Sequence, residues 1–167
     1  TLLELMITLA IAAVLGSLAA PSFTNMIKDN RMTTQFNELL TSMSLARSEA
    51  IKRGLPVTAC KSDDQDAAPS CGGNWEDGWI VFVDNNSDGS IDAGEEIIQM
   101  TSALSGGNTL NFGRNRVTYR ADALAIGFTG TFTLCDDRKN SDRKGLVVSN
   151  TGRVRQAIAA DALNNCP

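Results

Sequence analysis

The first twenty residues, TLLELMITLAIAAVLGSLAA, form an apolar run with no charged side chain from Leu5 to Ala20. As a helix rising about 1.5 Å per residue, Leu2 to Ala20 would span about 28 Å, close to the hydrocarbon core of a bilayer. Secretory signal peptides begin with a basic segment, whereas here the first basic residue, Lys28, follows the run. The sequence therefore predicts a helix of a mature chain that inserts into a membrane or into the apolar interior of an assembly.

Glu4 is the one charged residue near the start of this run. A carboxylate at the end of an apolar span is costly unless it reaches the interface or meets a cation. Two interpretations stay open. The side chain snorkels at the membrane edge, or it pairs with a cation of another chain, such as a neighbour's terminal ammonium group, in a packed assembly.

Beyond Pro21 the apolar residues recur at steps of three and four, which predicts an amphipathic helix with one apolar stripe. The stripe comprises Phe36, Leu39, Leu40, Met43, Ala46, Ala50 and Ile51. Gly54 and Pro56 should end the helix. The predicted organisation is a transmembrane or filament-core segment (1–22), an amphipathic continuation of the helix (23–54) and a β-rich globular head (55–167).

The rest of the chain alternates short β-rich runs with clusters of Gly, Asn and Asp, which is typical of an antiparallel sheet with turns. The predicted strands are 55–60, 79–83, 96–100, 108–112, 117–120, 125–128, 131–135, 146–148 and 154–157. A long helix packed on an antiparallel sheet defines the fold class as α+β.

The N-terminal run, followed by Pro21 and a long amphipathic helix, resembles type IV pilins and type II secretion pseudopilins. Thr1, Leu2 and Glu4 match the Thr-Leu-x-Glu motif of that family. Residues 46–62 and 75–98 resemble the helix end, first strand and tryptophan-bearing hairpin of the FimT/FimU/GspH group of minor pilins. The resemblance implies a pilin fold.

The same resemblance implies how the chain is processed, where it is located and how it is assembled. A prepilin peptidase would cut before a residue, usually an N-methylated phenylalanine, that would stand just ahead of Thr1. The chain would sit in the bacterial inner membrane by a single pass, with its head in the periplasm, and then join other pilin subunits in a cell-surface pilus. Glu4 would serve assembly.

Catalysis is not expected. The chain has no histidine, which removes catalytic triads and histidine-ligated zinc within the chain. Glu38, Glu49 and the loop acids have no paired base or nucleophile in an evident pocket. We therefore predict that the protein is not an enzyme.

The four cysteines allow three disulfide connectivities. The local pairing of Cys60 with Cys71 and of Cys135 with Cys166 is favoured, and it implies an oxidising, extracytoplasmic compartment. A four-thiolate metal site is the disfavoured alternative, because the spacings lack the close cysteine pairs that such sites use.

The segment DNNSDGSIDAGE fits the calcium-loop pattern D-x-[DN]-x-[DN]-G-x5-E. Its candidate ligands for Ca²⁺ are Asp84, Asn86, Asp88, the Ser90 carbonyl, Asp92 through water, and Glu95. The flanking segments look like strands rather than EF-hand helices. A plain hairpin loop, in which Asp, Asn, Gly and Ser supply turn conformations, is therefore the alternative. No other cofactor is predicted.

Charge is divided unevenly along the chain. Residues 1–113 hold 6 basic and 14 acidic side chains, whereas residues 114–167 hold 9 basic and 5 acidic ones. In TGRVRQ, strand alternation puts Arg153 and Arg155 on one side, and Gly152 allows a bend. With Arg143 and Lys144 from the preceding turn, the two arginines could grip successive phosphates.

Gly152, Arg153 and Arg155 form a Gly-Arg-x-Arg signature that resembles the DNA-binding element of FimT-type pilins of naturally competent bacteria. The resemblance implies capture of extracellular double-stranded DNA for uptake. Aromatic residues are only 5% of the chain, so stacking on single strands is disfavoured, and binding should be sequence-independent and salt-sensitive.

Other functions stay open for the same chain. The arginines could be a solvated surface strand. The protein could then be a structural minor pilin that primes filament assembly, a type II secretion pseudopilin, or a major subunit.

Overall fold

The computed structural model describes residues 1–62, 69–138, 142–158, 161, 163 and 166, without the side chains of residues 16 and 18–21. Helix α1 (Leu2–Arg53) is continuous, so position 21 does not end it. Thr1 caps its start by accepting a hydrogen bond from the Glu4 amide (3.3 Å). Gly54 ends it in the left-handed conformation (φ 67°), with its N–H bonded to the Ala50 carbonyl.

In the described residues, eight strands form two antiparallel four-stranded sheets. The first sheet has the order β3-β2-β1-β5 and contains β1 (Val57–Lys61), β2 (Trp79–Val83), β3 (Ile97–Thr101) and β5 (Arg116–Tyr119). The second has the order β4-β6-β7-β8 and contains β4 (Thr109–Asn111), β6 (Gly130–Cys135), β7 (Lys144–Val148) and β8 (Val154–Gln156). The predicted α+β class, a long helix with antiparallel strands, is confirmed.

Two details of the predicted sheet were wrong. The strands divide into two sheets instead of one. The segment 125–128 is a turn, because the Phe128 N–H donates to the Ala125 carbonyl (3.1 Å) and the Ala125 N–H donates to Asn150 (3.0 Å). Ala125 and Phe128 pack on the core without strand pairing, whereas Ile126 is exposed, so this short apolar run was wrongly predicted as a strand.

The core lies between α1 and the two sheets. The predicted stripe of α1 is buried at Phe36, Leu39, Met43, Ala46 and Ala50. Leu40 is partly buried, and Ile51 is 57% exposed, because Ala50 already faces the core and the next helical position is rotated by about 100°.

Aromatic rings join the two sheets within this core. Trp75 lies in a 3₁₀ turn (Trp75–Asp77) before β2, whereas Phe132 belongs to β6 of the second sheet. Phe132 stacks on Phe112 (centroids 3.9 Å apart) and meets Trp75 edge to face (4.9 Å). The indole N–H of Trp75 donates to the Arg114 carbonyl (2.8 Å).

Disulfides tie two further segments to the sheets. Cys60 of β1 is bonded to Cys71, and Cys135 of β6 is bonded to Cys166. This is the local pairing that the spacing of the cysteines favoured. The second bridge holds the C-terminal segment against the second sheet.

The described apolar side chains at the start of α1 are exposed. Leu2, Ile11 and Leu15 are 78%, 55% and 62% exposed. The predicted span 1–22 includes residues 16 and 18–21, whose side chains are outside the description. Within the described residues, none of the helices combines the length and apolar character of a membrane span.

Candidate nucleic-acid interface

A tight turn between β7 and β8 carries the Gly-Arg-x-Arg signature. The Gly152 N–H donates to the Ser149 carbonyl (2.9 Å), which closes a four-residue turn. The Ser149 N–H and hydroxyl both donate to the Arg153 carbonyl (3.1 Å each). The Ser149 hydroxyl also hydrogen-bonds the Thr151 hydroxyl (2.8 Å). The backbone at the first arginine is therefore fixed by several hydrogen bonds.

The back of this turn rests on the protein. Gly152 is buried at φ 69°, and a Cβ there would collide with the carbonyl oxygen of Ala123. The Arg47 guanidinium of α1 donates to the Thr151 carbonyl (3.3 Å). Only glycine combines this left-handed conformation with so close an approach of two backbone segments.

Arg153 faces solvent from the supported turn. Its side chain is exposed, and in the part of the chain that the structure describes it has neither a hydrogen-bond partner nor an ion-pair partner. The next residue, Val154, packs against the core. Strand alternation therefore directs Arg153 and Arg155 to the outer side of the second sheet, as predicted from the sequence.

Arg155 is engaged by a carboxylate. Its Nη1 and Nη2 atoms donate to the two carboxylate oxygens of Asp161 (2.7 and 2.8 Å), and Nη1 also donates to the Gln156 carbonyl (3.2 Å). The Ile158 N–H donates to the same carboxylate (2.7 Å). The hydrogen bonds from Arg155, followed by that from Ile158, lower the pKa of Asp161 to about 2. The carboxylate in turn raises the pKa of Arg155.

The structure does not bring Lys144 to the two arginines. Val147 pairs with Arg155, so the outer face of β7 holds Gly145 and Val147, whereas Lys144 shares the inner face with the buried Leu146. Lys144 donates to the Thr33 hydroxyl of α1 (3.1 Å).

Arg143 immediately precedes β7. It lies about 20 Å along the chain from Ser149 at strand spacing, at the far end of β7 from the turn. The predicted cluster of cations is therefore divided between the two ends of β7.

Three described residues of the C-terminal segment lie on the outer face of the second sheet. Leu163 packs on Gly145, in the space that a Cβ atom on this glycine would occupy. Cys166 is bonded to Cys135, whose strand position shares that face. Asp161 makes the third contact, with Arg155.

Sequence reasoning missed two residues of this region. Arg47 reaches the turn from α1, across more than one hundred positions of sequence. Asp161 stands alone among apolar and amide residues, and no local pattern ties it to Arg155. Only knowledge of the chain's path could have found either contact, because both depend on tertiary structure.

The acidic loop is largely satisfied by its own hydrogen bonds. The Asn86 amide donates to Asp88 and Asp92 (2.9 Å each). The Glu95 carboxylate accepts hydrogen bonds from the backbone N–H groups of Asn85 (2.7 Å) and Asp92 (3.1 Å). Ser90 donates its N–H to Asp88 (2.7 Å).

Asp84, the first residue of the loop, differs from the other candidate ligands because it is fully buried. Its Oδ2 atom accepts hydrogen bonds from the Thr58 hydroxyl (2.6 Å) and the Gly89 N–H (3.1 Å), whereas its Oδ1 atom has no partner. The Arg116 guanidinium packs against Gly89.

These hydrogen bonds determine how well the loop, in its present conformation, could coordinate Ca²⁺. Among the described residues, no three acidic, histidine or cysteine side chains are gathered so that they could hold a metal ion. To bind the ion through Asn86, Asp88 and Glu95, the loop would have to exchange their present hydrogen bonds for contacts with the ion. Calcium binding stays a prediction.

Glu4 takes part in the start of its own helix. Its carboxylate accepts a hydrogen bond from the backbone nitrogen of Thr1 (3.2 Å), which completes a capping box with the Thr1 hydroxyl. The expected contact with a neighbouring subunit stays a prediction. Glu49 is paired with Lys52 (3.1 Å) and Arg53 (2.6 Å), which lower its pKa.

Solved structures place this architecture among the pilins. FimU, a type IV minor pilin of Pseudomonas aeruginosa (strain PAO1), matches in two crystal forms with TM-scores of 0.65 and 0.62 at 20% identity. The matches cover 84% and 81% of this chain and 98% and 100% of FimU. The minor pseudopilin EpsH from the type 2 secretion system of Vibrio cholerae matches with a TM-score of 0.56 at 10% identity, over 78% of this chain and 99% of EpsH. The fold is therefore that of pilins and pseudopilins.

A family profile makes the assignment more specific. The profile described as type II transport protein GspH matches residues 35–152, which is most of the chain. No curated protein matches the chain significantly in sequence. The chain belongs to the GspH family, and the resemblance to the FimT/FimU/GspH group is confirmed.

Proposed function

We propose that this GspH-family protein is a minor pilin that binds double-stranded DNA through the turn at Gly152, Arg153 and Arg155, for DNA uptake in natural transformation. The observation that carries the proposal is Arg153, an exposed guanidinium that has no partner among the described residues and lies on a turn fixed by backbone hydrogen bonds. A fixed backbone reduces the conformational entropy that is lost when a long side chain binds a ligand.

The chemistry suits the DNA backbone. A guanidinium can donate two parallel hydrogen bonds to a phosphate, and two arginines two residues apart lie about 7 Å apart along an extended strand. Such contacts position a duplex without reading its bases, so affinity should be independent of sequence and should fall steeply with salt. Arg47 adds a third cation behind the turn, about 3.3 Å from the Thr151 carbonyl.

The test is a titration of duplex DNA with the full chain in a non-ionic detergent, read by fluorescence anisotropy. We expect R153A to weaken binding by about tenfold and R153A with R155A to weaken it further, since a hydrogen bond to a charged group contributes about 1.5–3 kcal/mol. Arg31→Ala is the control, because Arg31 lies about 24 Å along α1 from Arg47. Equal binding by the wild type and the double variant would overturn the proposal.

A purely structural role is the alternative, as a subunit that primes a type IV pilus or a type II secretion pseudopilus. The observation that favours it is the exposed apolar side of α1, which needs lipid or other subunits to cover it. Under the DNA proposal, pili persist in cells carrying the double arginine variant while DNA uptake falls. Under the structural alternative, the same variant leaves both unchanged.

Anchoring and processing belong to the same proposal. We propose a single pass of residues 1–22 through the inner membrane, with the head in the periplasm, and cleavage by a prepilin peptidase followed by N-methylation. Assembly with other pilin subunits would then cover the exposed apolar positions. The support is the exposure of Leu2, Ile11 and Leu15 together with the family of the chain. A protein of this kind acts by assembly and binding and needs no catalytic centre.

We propose, second, that the loop from Asp84 to Glu95 binds Ca²⁺. The specific observation is the buried Asp84 carboxylate, whose Oδ1 atom lacks a partner while Oδ2 accepts from Gly89. A buried carboxylate oxygen without a donor is costly, and a cation would relieve that cost.

Thermal unfolding tests the calcium proposal in the presence of Ca²⁺, Mg²⁺ or a chelator. A ligand at a hundred times its Kd stabilises a fold by about 2.7 kcal/mol, so Ca²⁺ should raise Tm by several degrees. Asp88→Asn should abolish the rise, whereas Asp137→Asn should not. The same Tm with millimolar Ca²⁺ and with chelator would overturn it.

A further inference from the structure

The C-terminal segment brings an acidic side chain onto one of the two arginines of the proposed DNA site. Asp161 binds both terminal nitrogens of Arg155 (2.7 and 2.8 Å), and its side chain is 18% exposed. Arg153, two residues earlier, has no such partner among the described residues. The two arginines therefore differ in whether they are free to receive a phosphate.

We propose that Asp161 is an internal competitor of the DNA phosphate, so that DNA binds through both arginines only when this carboxylate leaves Arg155. The inference rests on the proposed function of the turn and adds a regulatory contact to it. A carboxylate and a phosphate each accept two parallel hydrogen bonds from a guanidinium. Both cannot occupy the same pair of donors.

The charges lead to the same conclusion. While the pair is intact, the positive charge of Arg155 is neutralised within hydrogen-bonding distance, and a nearby carboxylate repels an incoming phosphate. The wild-type chain should then engage DNA mainly through Arg153. It should show the salt dependence of fewer phosphate contacts than its arginines could make.

Release of Asp161 requires no unfolding of the sheet. On the outer face of the second sheet, Asp161 contacts Arg155, Leu163 contacts Gly145, and Cys166 is bonded to Cys135, while the Asp161 N–H donates to the Ile158 carbonyl (2.9 Å). The disulfide to Cys135 keeps the segment attached when the carboxylate leaves. The same contact can therefore form again when the DNA dissociates.

The test compares duplex DNA binding by the full chain and by Asp161→Asn at several salt concentrations. Asparagine keeps an oxygen that can accept the Ile158 N–H while it removes the charge. We expect D161N to bind about three- to tenfold more tightly, with a salt slope steeper by about 0.9, which corresponds to one more phosphate contact. In an R155A background, D161N should bring no gain of that size.

Asp137→Asn is the matched control. Asp137 is also paired with a cation, Lys28 (2.6 Å), and its replacement changes the net charge equally, but it lies beyond the end of β6 that is remote from the turn. Equal small gains for D161N and D137N would overturn the inference and leave the DNA proposal standing, provided that the wild type still binds better than R153A with R155A. No binding by any of these chains would overturn both.

Discussion

Gly152 is the residue that most directly fixes the shape of the arginine turn. We predict that Gly152→Ala destabilises the fold by about 2 kcal/mol or more, because the left-handed conformation alone costs about 1–2 kcal/mol for other residues. The new Cβ would also meet the Ala123 carbonyl. Urea unfolding of the full chain in detergent measures the change.

Gly107→Ala provides the comparison for that substitution. Gly107 has the same φ of 69°, but a Cβ there would meet nothing within 4 Å. Its replacement should therefore cost only the conformational part. Equal losses of stability at the two glycines would contradict the close approach of the turn to Ala123.

The pair of Asp161 and Arg155 makes a prediction about pH. The pKa of Asp161 in the folded chain is lowered to about 2, below its ordinary value of about 3.9, chiefly by Arg155. The stabilisation from this group is therefore present above about pH 4 and is lost as the pH falls toward 2. Carboxyl ¹³C titration by NMR should give the low pKa in the wild type and a higher pKa in R155A, where the hydrogen bond from Ile158 remains. An unchanged pKa in R155A would contradict the contact.

Some side chains of the site were predictable and others were not. The outward direction of Arg153 and Arg155 follows from strand alternation around Val154, so the local sequence was sufficient. The separation of Lys144 from them follows from the same alternation along β7, but only once the pairing of Val147 with Arg155 is known. That pairing belongs to the tertiary structure and is not encoded by the local sequence.

The ring of Phe132 links the two sheets. We predict that Phe132→Ala destabilises the head by about 3–5 kcal/mol, because this fully buried side chain stacks on Phe112 and contacts Trp75. Phe23→Ala, at a side chain that is 64% exposed, should change unfolding little. Denaturant unfolding compares the two, and similar losses would contradict the account of the core.

The elements show what local sequence can decide. Helix α1 was predictable almost to its last residue, since a long periodic stripe ends at a glycine cap. The conformation of segment 125–128 was not predictable, because a four-residue apolar run is compatible both with a strand and with a turn that packs on the core. The division into two sheets depends on pairing between distant strands, such as β1 with β5, which no short pattern encodes.

The whole molecule consists of a globular head packed on the C-terminal part of α1 and of an N-terminal part of α1 whose described apolar side chains are exposed. We predict that Glu4→Gln lowers incorporation into filaments by about tenfold or more, because loss of a compensated ion pair in an apolar assembly costs more than about 1.4 kcal/mol per subunit. Immunoblots of filaments sheared from cells measure the amount incorporated.

Glu38→Gln serves as the control for Glu4, because Glu38 is an exposed acid on the same helix but lies beyond the apolar run. It should incorporate like the wild type. Equal incorporation of both variants would remove the assembly role of Glu4, while leaving the family assignment and the DNA proposal untouched.

The most direct measurement asks where DNA touches the chain. Full-length protein in detergent is cross-linked to duplex DNA by ultraviolet light and digested, and the attached peptides are identified by mass spectrometry. The account predicts cross-links concentrated at residues 149–156, lost in the R153A and R155A double variant. Cross-links confined to other basic segments, such as those around Lys28 or Lys52, would contradict it.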